Sequence, residues 1–165
     1  MGLLTHSLLT SLKGAIAMIM VLTQDKELRE QLSETLQQSG HKVTVPAHRK
    51  NGFAMLTDCQ PSLIILDLQV SDPSGIDHVN MIRARGYGRG IIVLSSPAMM
   101  PIISKTYASG VNRVLKAPLA INGRYDLGEL RFAVKSYLQN RAASARPIDQ
   151  RAVAQRAYEL YEAGG

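Results

Sequence analysis

The sequence predicts a doubly wound α/β fold, a five-stranded parallel sheet with helices on both faces. Two observations predict it. Five short apolar runs alternate with helical segments across short connections, the pattern of βα units. The run Ser62–Leu68 is apolar at successive positions up to Asp67, as a central parallel strand buried on both faces should be. The chain has 165 residues, one domain plus a margin of about 15–40 residues. With 45% apolar residues it can bury a core, which argues against a disordered chain. The single cysteine, Cys59, excludes an internal disulfide and a structural zinc cluster, and fits a reducing compartment, the cytoplasm.

Each element has a local reason. Ala17–Leu22 reads as a buried strand. Asp25 suits an N-cap, Leu28, Leu32 and Leu36 follow at four-residue spacing, and Gly40 stops that helix. His41–Val45 is a second strand, and Asn51–Thr57 a short, weakly patterned helix. After Ser62–Leu68 comes a loop with Pro73 and Gly75, then a helix striped by Ile76, Val79 and Ile82. Ile91–Leu94 is the fourth strand, Pro101–Ser109 a helix, and Val111–Leu115 the fifth strand. Asp126 caps a long last helix carrying Leu127, Leu130, Val134, Tyr137 and Leu138.

In such folds the site lies at the carboxyl ends of the strands. That directs attention to Thr23-Gln24-Asp25, Asp67, Ser95-Ser96 and Lys116-Ala117-Pro118. Asp67 closes four apolar residues, a costly place for a carboxylate unless the strand end meets water or a partner. Held in line, a carboxylate can accept a phosphoryl group. Ser95 could donate to a phosphoryl oxygen, and a lysine on the next strand could neutralise the charge. The plainer role for Asp67 is to cap the following loop.

The stretch Pro61-Ser-Leu-Ile-Ile-Leu-Asp67, with Gly75 eight residues after the aspartate, resembles the third-strand signature of response-regulator receiver domains. Ile91-Ile-Val-Leu-Ser95-Ser96 resembles the fourth strand of that family. The resemblance covers roughly residues 18–140. It implies a flavodoxin-like fold with strand order 2-1-3-4-5 and a signalling module of a bacterial two-component phosphorelay, not an enzyme. By that likeness Asp67 is the phosphoacceptor, Ser95 the switch hydroxyl and Lys116 the charge partner of the phosphoryl group. Mg²⁺ would be held by Asp67, Asp25 and the backbone carbonyl of Gln69. The implied partners are a histidine kinase or phosphotransfer protein and a downstream protein docking near residues 97–130, with a homodimer open.

Three departures mark an atypical member. Thr23 and Gln24 stand where the family carries an acidic pair, so Mg²⁺, which demands near-octahedral oxygen coordination, should bind weakly or not at all. Asp25 could substitute, against its role as helix cap. Ala117 stands where the family places lysine before proline, and Lys116 is one residue early. A one-residue slip turns a side chain to the opposite face. Either a shortened turn at Asn112-Arg113 restores Lys116, or the site has no lysine. The family's cis bond before the proline would fall at Ala117-Pro118. Val114 replaces the fifth strand's aromatic, with Tyr107 on the preceding helix. The alternative function is therefore a phosphorylation-independent interaction module, a pseudo-receiver.

Other signals are weaker. Arg83-Ala-Arg-Gly-Tyr-Gly-Arg-Gly90 is basic and glycine-rich but does not fit a P-loop, and reads as a solvated loop. His6, His41, His48 and His78 lack metal-ligand spacing. Thr23-Gln24-Asp25-Lys26 lacks the glycine of a phosphate-binding turn, which argues against a flavin-binding enzyme. The formal charge of +6 permits acidic partners. Residues 1–17 read as an N-terminal extension, 18–140 as the receiver-like domain, and 141–165 as a linker and short helix with Val153, Ala157, Leu160 and Tyr161 on one side. The extension is too often interrupted for a membrane span, and the tail too short for a DNA-binding domain.

Overall fold

The computed structural model describes residues 16–47, 49–68, 75–99 and 106–143. In chain order these form β1 (Met18–Leu22), α1 (Lys26–Gln38), β2 (Lys42–Thr44), α2 (Arg49–Cys59), β3 (Leu63–Leu68), α3 (Gly75–Ala84) and β4 (Gly90–Ser95). A 3₁₀ turn at Pro97–Met99 follows, then β5 (Arg113–Lys116), β6 (Ala120–Ile121), β7 (Arg124–Tyr125) and α4 (Gly128–Ala143). The first five strands form one sheet in the order β2-β1-β3-β4-β5, every pair parallel. The sheet order and the parallel pairing match the expected fold class.

Alternation along the strands splits the core in two. Ile19, Val21, Leu63, Ile65, Ile92, Leu94 and Leu115 face α1 and α4, which contribute Leu28, Leu32, Leu36, Leu130 and Val134. Met20, Leu22, Ile64, Leu66, Ile91 and Val93 face α2 and α3, which contribute Phe53, Leu56, Val79 and Ile82. A strand buried on both sides cannot carry polar residues until it leaves the core. All six residues of β3 are buried; Asp67 is the last position on the α1/α4 side after Leu63 and Ile65, while Leu68 still fills the other side.

Both expected caps form. Asp25 Oδ1 accepts from the N–H of Leu28 at 3.0 Å, and Asp126 Oδ1 from the N–H of Gly128 at 3.0 Å. The last helix continues to Ala143, past the start assigned to the linker, with Arg141 in its final turn donating to the carbonyl of Ser62 at 3.1 Å.

Two features depart from expectation. The fifth strand starts at Arg113, not Val111, because Asn112 takes a ladder position with its side chain. Its Oδ1 accepts from Ile91 N–H at 2.8 Å, and its own N–H donates back to the Ile91 carbonyl at 2.9 Å. Between Leu119 and Asp126 the chain forms an antiparallel hairpin, Ala120 opposite Tyr125 and Ile121 opposite Arg124. Asn122 and Gly123 both take positive φ at its tip, 51° and 72°. That is the dihedral signature of a two-residue type I′ turn, for which Asn-Gly is the preferred pair. Among the described residues no helix is long and apolar enough to cross a membrane. The expectations for residues 1–15, Gln69, Met100 and the tail helix lie outside the described residues, as does the part of the expected 101–109 helix before Thr106.

Candidate functional site at the carboxyl edge of the sheet

Parallel pairing of β1 and β3 ends with Leu22 opposite Leu66, so the next step brings Thr23 beside Asp67. Both are buried, at 7% and 4% exposure. Thr23 Oγ1 donates to Asp67 Oδ2 at 2.7 Å and accepts from the N–H of Asp25 at 3.1 Å. A hydroxyl polarised by an amide and aimed at a carboxylate makes a charge-assisted bond, among the stronger ones a folded chain forms. Thr23 therefore serves Asp67 as a donor.

Asp25 is drawn away from that carboxylate. Its Oδ1 caps α1, and its Oδ2 accepts from the Tyr125 hydroxyl at 2.5 Å. The hairpin is tied down a second time by Gln31, whose Nε2 donates to the Gly123 carbonyl at 2.7 Å and whose Oε1 accepts from Tyr125 N–H at 3.0 Å. Its hydrogen bond to Asp25, followed by burial and the nearby carboxylates, pushes the Tyr125 phenol up to about 12. The sign follows directly. The bond needs the neutral phenol, so its contribution to stability is whole below pH ~10 and is lost as pH rises from ~10 through about 12. Tyr125→Phe should remove that alkaline loss, read as the difference in Tm between the two chains over this range. An unchanged difference would mean the bond contributes nothing.

The expected switch hydroxyl, Ser95, is buried at the end of β4, where Oγ donates to the Ser96 carbonyl at 3.3 Å. It follows Ile91 and Val93, on the α2/α3 side. Lys116 lies opposite Ser95 in an unbroken register that also pairs Val93 with Val114 and Leu94 with Leu115. No shortened turn shifts it. Lys116 is exposed, and Ala117 packs against the core on the α1/α4 side, the side that Asp67 shares with Leu63 and Ile65. The bond from Ala117 to Pro118 is trans, since no cis peptide occurs among the described residues. Tyr107 lies within a helical turn over residues 106–108, and its hydroxyl accepts from Val114 N–H at 3.3 Å, closing one group of an edge strand. Among the described residues, no three His, Cys, Asp or Glu side chains gather where they could hold a metal ion.

Sequence reasoning placed Asp67, Ser95 and Asp25 at the correct edge. It passed over Thr23 as a donor, and it missed Gln31 and Tyr125 altogether. Asn122-Gly123 between two short segments was the available signal for the hairpin.

A parallel 2-1-3-4-5 sheet whose central strand ends in a buried aspartate is the architecture of a receiver-type signalling module. The chain belongs to the response regulator receiver domain family, whose model matches residues 19–123. It is 28% identical over 134 residues to the DNA-binding transcriptional regulator NtrC of Azospirillum brasilense, covering 81% of this chain and 27% of that protein. It is 26% identical over 125 residues to the transcriptional regulatory protein CusR of Escherichia coli, covering 76% and 52%. The chain thus spans about half or less of these two relatives. A sporulation initiation phosphotransferase F from Bacillus subtilis is 21% identical over 120 residues and is covered over 92% of its length. Among solved structures, the receiver domain of the TMAO respiratory regulator TorR superposes with a TM-score of 0.64 at 22% identity, covering 74% of this chain and 97% of that one. The receiver domain of the Francisella response regulator 1452 does so with a TM-score of 0.64 at 18% identity, covering 75% and 98%. This is a receiver domain of the two-component type.

Proposed function

We propose that this receiver signals by docking to protein partners without waiting for Mg²⁺-dependent phosphoryl transfer. The observation that carries the reading is the Thr23–Asp67 hydrogen bond, with Asp25 held on its helix cap and on Tyr125. Mg²⁺ needs several oxygens at about 2.0–2.1 Å in octahedral array. Here the acceptor carboxylate meets a hydroxyl donor, and the nearest acid on β1's loop has both oxygens engaged. The described residues do not fit that ion. A lysine to balance a bound phosphoryl group is also missing from Asp67's side of β5. The proposal keeps the receiver fold and takes a histidine kinase or phosphotransfer protein, the usual partner of this family, as the upstream contact.

A second reading has one observation behind it. Ser95 ends β4 beside Leu68, one residue past Asp67, so slow transfer of a phosphoryl group from a phosphodonor onto Asp67, at the same sheet edge as the Ser95 hydroxyl, is the competing function. Intact-mass spectrometry after incubation with a small phosphodonor separates the two. The expected result is no added phosphoryl group that depends on both Mg²⁺ and Asp67. An adduct that appears with Mg²⁺ and vanishes in Asp67→Asn would overturn the proposal and establish the second reading.

A further inference from the structure

At the opposite, amino-terminal edge of the sheet the basic stretch does not behave as a solvated loop. The Tyr87 side chain is buried, and its hydroxyl donates toward the carbonyls of Pro61 and Gly90 at 3.1 and 3.2 Å. Arg83 turns inward and donates through Nη1 to the carbonyls of Tyr87 and Arg89, each at 2.7 Å, and through Nη2 to that of Gly110. Arg89 reaches the carbonyl of Gln60 with Nη1 at 2.7 Å. These bonds hold the loop against the end of α2 and leave a preformed cleft of about 260 Å³ between them. Leu56, Gln60, Arg85, Gly88 and Arg89 are among its walls, and no acidic residue lines it.

The charge balance there is one-sided. Among the described residues, Arg83, Arg85, Arg89 and Arg141 have carbonyl or ring partners and no carboxylate within ion-pair distance, whereas the ion pair the chain does form, Lys26–Glu30, lies on α1. Arg85 stacks over the Phe53 ring at 5.9 Å, which leaves its N–H donors unspent, and Arg89 uses only Nη1. Arg83 Nε is buried without a partner. Carbonyls at the ends of α2 and α3 account for part of this positive charge. They do not account for Arg85. Two of these guanidinium groups, Arg85 and Arg89, line the cleft, and they repel each other until an anion enters. Guanidinium matches phosphate in fork geometry better than it matches a single-point acceptor.

We propose that this cleft binds a small phosphate-bearing anion of diphosphate size. The guanidinium lining sets the class, and a volume just under the range of about 300–1,000 Å³ usual for larger ligands favours a small one. The site is separate from Asp67 and does not depend on how Asp67 is used.

The test is calorimetric titration of the full chain with inorganic pyrophosphate in low-salt, phosphate-free buffer. Saturable binding of one equivalent is expected, with a rise in Tm. Arg85→Gln and, separately, Gly88→Leu should each weaken it at least tenfold. Arg85 is exposed, and a Cβ at Gly88 meets nothing within 4 Å, so both chains should fold, which circular dichroism checks. Asp67→Asn should bind as the parent does. Absence of saturable binding, or binding unchanged in both cleft variants, would overturn the proposal. So would tight binding of a DNA duplex with a steep salt slope and none of pyrophosphate, which would make the patch a nucleic-acid surface.

Discussion

Gly90→Ala should destabilise the domain by about 1–3 kcal/mol, through overpacking at a single ring. A Cβ on Gly90 would lie 2.2 Å from Cζ, 2.5 Å from the hydroxyl and 2.6 Å from Cε1 of Tyr137. The glycine opens β4 opposite Leu63, so its backbone is held by the ladder and cannot retreat. Tyr137 must swing away instead. Its ring packs against the core that α4 shares with β1, β3 and β4, and that packing is what the substitution removes. The Tyr137 hydroxyl is buried without a partner, so shortening the side chain forfeits no hydrogen bond. Tyr137→Leu in the same chain should therefore recover much of the loss, giving a coupling of about 1 kcal/mol or more in a double-mutant cycle. Chemical denaturation measures all four chains. A Gly90→Ala chain within about 0.5 kcal/mol of the parent would show that the ring moves freely and that α4 is looser than described.

The same region shows why some of the molecule could be read from its residues and some could not. Strands and helices were legible because alternation and the four-residue spacing of Leu28, Leu32 and Leu36 are one-dimensional signals. Asp67 was legible because a charge at the end of an apolar run has few structural uses. Thr23 was not, since a hydroxyl's value as a donor depends on what lies beside it, and its partner is 44 residues away. The Tyr125–Asp25 bond spans 100 residues and exists only because a hairpin of two-residue strands folds back onto α1. Lys116 needed the register itself. Whether Asn112 would shorten the turn or extend the ladder with its side chain is a choice between two local geometries that composition does not rank. The cleft beside Arg85 was hidden for a related reason. A run of arginines and glycines looks solvated until Arg83 is seen to draw three carbonyls inward.

Thr23→Val should cost about 1–3 kcal/mol, because Oδ2 of the buried Asp67 loses the Thr23 hydroxyl. Valine matches threonine in shape, so the loss reports the hydroxyl and not the volume. Thr23→Ser keeps the donor and should recover most of the stability. Asp67→Asn should be mild, because the amide oxygen still accepts from Thr23. The informative chain is the double variant Thr23→Val with Asp67→Leu. Replacing both members of a buried hydrogen bond by apolar groups of similar shape is often near neutral, whereas removing one is not. The double variant should therefore be more stable than Thr23→Val alone, measured by denaturation at neutral pH. Its behaviour toward partners then bears on function. A receiver that signals through its folded surface should still dock when both polar groups are gone. One that depends on phosphoryl transfer to Asp67 should lose its output in this chain and in Asp67→Asn alike. If Thr23→Val proves as stable as the parent, the hydroxyl does not hold the carboxylate. The strongest reason for excluding Mg²⁺ from this edge of the sheet would then go with it.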